Sequence, residues 1–73
     1  MQWQINAEEN CKQLFDDNYV YSLGIAEGRM KLLIENLTTR KSAWFNIMNK
    51  DPFFIEKEAE TIIRREKENN RLP

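Results

Sequence analysis

Cys11 is the only thiol in the 73 residues, and the chain has no histidine. Those two facts narrow the chemistry at once. Structural zinc needs a set of Cys and His ligands, and nucleophiles are usually activated by a neighbouring base, most often His. Cys11 recurs with Ala7, Leu14 and Phe15 at helical spacing, so it reads as a buried, inert thiol on an apolar stripe. The acid pairs Glu8-Glu9 and Asp16-Asp17 suit a helix start and a turn, since adjacent side chains point apart on a helix. No Asp-x-Asp loop closes on a glutamate for calcium, and no glycine-rich loop offers a phosphate cradle. The sequence proposes no catalytic residue, no cofactor and no metal, and a non-enzymatic protein is expected.

Binding chemistry is better represented. "RKSAWFNIMNKDPFF", residues 40–54, interleaves bases with Trp44, Phe45, Phe53 and Phe54. Aromatics beside cations can stack on nucleic-acid bases or anchor a protein interface. In a chain this short most large aromatics are needed for the core, and any left exposed suit protein better than nucleic acid. The formal charge of −1 is unevenly spread: −4 over residues 1–28, +4 over 29–50 and −1 over 51–73. That segregation favours complementary packing and falls short of the strong basic excess of general nucleic-acid binders.

The elements that position these residues read as helices. Trp3 and Ile5 suit a short strand or an arm over the core. Asn6 then caps a first helix, with Glu9 three residues on as a capping box requires. Asp16-Asp17-Asn18 breaks the chain. A second helix runs from about Tyr19 to Leu37, and Ser42 caps a short third one. Asp51 caps a last helix with Pro52 in its first turn and a stripe of Ile55, Ala59, Ile62 and Ile63. Residues 64–73 carry charge pairs but no apolar side chain before Leu72, so they are expected to fray or project into solvent. The expected fold is all-α, one helical domain over residues 1–73, a small bundle of three to four helices that self-associates.

The second helix carries the functional expectation. On a helical wheel Tyr19, Val20, Leu23, Ala26, Met30, Leu33, Ile34 and Leu37 share a core face. Tyr21, Ile25, Gly28 and Leu32 fall on the opposite side, and a helix apolar on two sides is covered on two sides. With Trp44 and Phe45 these four residues form the expected protein-interaction set. Gly28 would let a second backbone approach closely. A domain this small has roughly 3–5 kcal/mol of net stability to call on, and one cysteine excludes an internal disulfide. The expected partner is therefore another protein, a second copy of the chain, or both. The expected function is a regulator, inhibitor or adaptor of a larger protein. The alternative is a helix-turn-helix DNA-binding regulator over residues 16–35, turned at Gly24, with Arg29, Lys31, Arg40 and Lys41 towards DNA. The start of the chain has neither the basic residues nor the apolar run of a secretion signal. With a single thiol, a cytoplasmic location without membrane contact is expected.

Overall fold

Glu27 and Gly28 set the architecture. Both have positive φ, 57° and 76°, as a type I′ turn requires. Such a turn reverses the chain with a twist that matches an antiparallel hairpin. On either side of it Tyr21 stands opposite Ile34, Leu23 opposite Leu32 and Ile25 opposite Met30. The computed structural model describes residues 2–73 and extends this hairpin in both directions. Its elements are β1 (Gln4–Asn6), β2 (Cys11–Asp16), β3 (Tyr19–Ala26), β4 (Arg29–Asn36), β5 (Ser42–Asn46) and α1 (Pro52–Glu68). The strands form one antiparallel sheet in the order β1-β2-β3-β4-β5.

The all-α expectation is overturned: one helix lies against a five-stranded sheet. Two local features explain the change. Asn6 Oδ1 does accept a hydrogen bond from the Glu9 amide at 3.1 Å, as a cap would. The turn then closes through Asn10 N–H to Ala7 O (3.3 Å), and Asn10 has φ 53°, so the chain reverses into β2 instead of winding on. Residues 19–37 hold a period of two that changes parity at the turn. Tyr19, Tyr21, Leu23 and Ile25 are odd-numbered, whereas Met30, Leu32 and Ile34 are even-numbered. Across an uninterrupted window that shift imitates a helical distribution.

The last helix matches its sequence reading. Asp51 has extended φ/ψ of −79° and 123°, its side chain accepts from the Phe53 amide at 2.9 Å, and Pro52 opens α1. Ala59, Ile62 and Ile63 are buried against Tyr21, Leu23, Leu32, Ile34 and Ile47, and Ile55 packs beside them.

The end expected to fray is folded back. Asn70 has φ 53°, with Arg71 N–H bonded to Glu66 O (2.9 Å) and Asn70 N–H to Lys67 O (3.1 Å). This is a Schellman closure with asparagine in the left-handed position. Beyond it Leu72 packs against the core. The Pro73 backbone oxygen accepts from Tyr19 Oη and from Asn36 Nδ2, both at 3.0 Å.

Candidate functional site

A sheet with a helix on one side leaves the other side to be explained. Period two divides the strands. Leu14, Tyr21, Leu23, Leu32, Ile34 and Phe45 turn towards α1. Their neighbours form the opposite face in aligned rows. One row crosses all five strands: Gln4, Gln13, Ser22, Leu33 and Trp44. Beside it run Asn6, Cys11, Gly24, Lys31 and Asn46 on one flank, and Phe15, Val20, Glu35 and Ser42 on the other. No helix or strand among the described residues covers these rows. Phe15 is 62% exposed and Trp44 57%.

Gly24 forms the floor of this face. A Cβ built there would lie 2.9 Å from Cys11 Cβ and 3.4 Å from Asn10 O, so β2 and β3 approach too closely for a side chain. The result is a hollow of about 380 Å³ lined by Cys11, Gln13, Ser22, Lys31, Leu33 and Trp44, among others. Asn6 Nδ2 donates to Gln13 Oε1 at 2.9 Å, and Gln13 Nε2 donates to Ser22 Oγ at 3.0 Å, a polar line across three strands. Lys31 Nζ stands 5.9 Å from the Trp44 ring centroid, within cation–π range. Apolar anchors set among hydrogen-bonding groups can dock a protein surface. Nothing in the arrangement activates a nucleophile: burial, and then the charge of Glu9, push the Cys11 thiol above its ordinary value.

The residues expected to form an interface are dispersed. Tyr21 and Leu32 are fully buried, and Phe45 packs against the core. What reads as a second stripe on a helix is therefore intramolecular core for these residues. Ile25 is 69% exposed at the far end of β3, and Gly28 lies in the hairpin turn. Trp44 alone of the six stands on the uncovered face. Phe15 and Leu33 join it there, and the period-two pattern of β2 and β4 is the signal that finds them.

The DNA-binding alternative loses its framework. Residues 16–35 form strands and turns, so there is no recognition helix. Arg29 and Lys31 lie towards one end of β4, while Arg40 and Lys41 lie beyond the other. Glu27 sits 3.4 Å from Lys31 and Glu35 4.0 Å from Arg40. Bases split between the two ends of β4, with an acid beside one at each end, make no continuous phosphate-binding track.

Two carboxylates, Glu58 tying α1 to the β5–α1 connection and Asp16 tying β2 to α1, give the fold a pH dependence. Glu58 accepts from the amides of Met48 and Asn49 and from Asn49 Nδ2, the last at 2.7 Å. Burial raises its pKa, but these three hydrogen bonds together outweigh that and leave it lowered. Asp16 is lowered chiefly by its hydrogen bond from Lys67, against a smaller effect of burial. A depressed folded pKa contributes stability above the unfolded value that is lost as pH falls through the folded one. Urea midpoints should therefore decline as pH drops below the ordinary carboxylate range, near 4.5 for Glu58 and 3.8 for Asp16. The decline should be shallower in Glu58→Gln; equal slopes would remove Glu58 from the explanation. Tyr21 moves the other way, raised by burial and by Asp16, and its hydroxyl donates to Asp16 at 3.2 Å.

Fold and surface together define a small α+β module with a half-covered sheet. Comparison with protein-family models, curated proteins and solved structures gives no match. Among the described residues no three Cys, Asp or Glu side chains gather where they could hold a metal ion. No helix among them is long and apolar enough to cross a membrane.

Proposed function

We propose that this chain is a non-enzymatic, cytoplasmic binding module that regulates, inhibits or adapts a larger protein docked on the uncovered face of its sheet. The observation that carries this reading is the exposure of Phe15 and Trp44 on a face that no element covers, with Leu33 beside Trp44. Large aromatics ringed by polar groups are the usual anchors of protein interfaces. Arg29 and Lys31 are the bases that the alternation of β4 puts on this face, and Lys31 has Glu27 beside it. Two bases at one end are far from a basic track, which favours protein over nucleic acid. The lone thiol suits a reducing compartment.

The test is capture by tagged protein in native-host cells, with in-cell cross-linking and nuclease treatment, using wild type and a Phe15→Ser/Trp44→Ser variant. A protein held by wild type and lost by the variant, at unchanged circular dichroism, is the expected result. Equal capture by both, or capture of nucleic acid alone, would overturn the proposal.

A further inference from the structure

β5 is the longer unpaired edge of the sheet. Asn36 N–H donates to Lys41 O at 2.9 Å and Ile47 N–H to Met30 O at 3.0 Å, bracketing the β4–β5 register. Alternate residues of an antiparallel ladder face the neighbouring strand. Lys41, Ala43, Phe45 and Ile47 therefore turn their backbone groups towards β4. Ser42, Trp44 and Asn46 turn theirs outward, with no partner strand among the described residues. The opposite edge is blunted: β1 has only 3 residues, and the Trp3 indole beside it donates to Glu60 at 3.0 Å. β5, Ser42-Ala43-Trp44-Phe45-Asn46, holds none of the charges or prolines that usually protect an edge.

The surroundings of this edge are basic. Arg40 and Lys41 precede it, Lys50 follows it, and Lys31 is in register with Asn46, with Glu35 beside Arg40 and Glu27 beside Lys31. Lys41 and Lys50 have no acid within ion-pair distance among the described residues. The segment 29–50 carries five bases against the single acid Glu35. A second copy pairing through β5 would bring the same basic segment alongside, so like charges would meet.

We infer that β5 is a strand-addition edge for an extended, acidic segment of a protein partner, which becomes the sixth strand. This rests on the protein-binding reading above and narrows its partner. The added backbone pairs with the outward groups of Ser42, Trp44 and Asn46. Its side chains alternate between the uncovered face beside Trp44 and the helix side beside Ala43 and Phe45. Acids on it meet Lys41 and Lys50, the two bases at the ends of this edge that have no acid beside them among the described residues.

The probe is a capped hexapeptide alternating glutamate with valine, and the control has lysine in place of glutamate. Binding is followed by amide NMR on wild type and on a semisynthetic protein N-methylated at Trp44. That methyl removes one outward donor and leaves both the side chain and the β4 ladder in place. The acidic peptide should shift and protect the amides of Ser42, Trp44 and Asn46, and should weaken with added salt. N-methylation should reduce its affinity at least about tenfold, as expected for losing a hydrogen bond and obstructing the edge. The lysine peptide should not bind. Equal binding of the two peptides, or indifference to N-methylation, overturns the inference. So does a wild-type dimer in sedimentation equilibrium that the N-methyl group dissociates, because the edge then belongs to a second copy. If a captured host protein binds the N-methylated form as tightly as wild type, the edge inference fails while the protein-binding proposal stands.

Discussion

Leu32→Ala should cost about 2–5 kcal/mol, the range for truncating a buried leucine, which approaches the whole net stability of a domain this size. Leu32 is fully buried between Leu23 and Phe45 in the sheet, beneath α1. Ile25→Ser should cost no more than about 0.5 kcal/mol, because its side chain is already mostly in water. Urea unfolding followed by circular dichroism separates the two variants directly. The contrast is sharp because both residues occupy one stripe when the segment is wound as a helix. Similar losses in the two variants would mean that the hairpin register is misassigned.

Gly24→Leu should destabilise by about 1–3 kcal/mol, the usual cost of overpacking. The cause is local and specific: the new Cβ would stand 2.9 Å from Cys11 Cβ. Adding Cys11→Gly should therefore restore part of the loss, and a double variant no better than the single would exclude this clash as the cause. Gly28 differs in kind. Nothing lies within 4 Å of a Cβ built there, and its φ of 76° is the constraint. Gly28→Ala should cost about 1 kcal/mol through backbone strain alone. Neither glycine serves a helix crossing: one lets two strands approach, and the other turns the chain.

What was legible in the sequence follows from how local each signal is. Asp51-Pro52 and the stripe from Ile55 to Ile63 describe α1 because capping and helical spacing lie within one segment. The break at Asp16-Asp17-Asn18 is also local, and it corresponds to the β2–β3 turn. The strands were hidden by two short-range resemblances. Asn6 and Glu9 form a cap-like contact that leads only to a turn, and Glu27-Gly28 shifts the period-two pattern by one position. Of the candidate surface, Trp44 was visible as an aromatic among bases. Phe15 and Leu33 depend on knowing which strands pair, and the spacing of Phe15 from Ala7 and Cys11 alone fits the stripe of a first helix. The fate of residues 64–73 depended on the return of Leu72 and Pro73 to Tyr19 and Asn36, contacts spanning 54 and 37 residues that no local pattern shows.

The β1-β2-β3-β4-β5 order has a kinetic meaning. Every ladder joins a strand to the next one along the chain, so the sheet can grow by a series of short loop closures. Two-residue turns such as Glu27-Gly28 carry the smallest closure entropy, which makes the β3–β4 hairpin the natural nucleus. Only α1 and the returning end must find distant partners, and they can do so on a surface that already exists. Low contact order of this kind places a β-rich domain towards the fast end of its class. It also leaves the β5 edge exposed from the moment the sheet forms, before and after the helix docks.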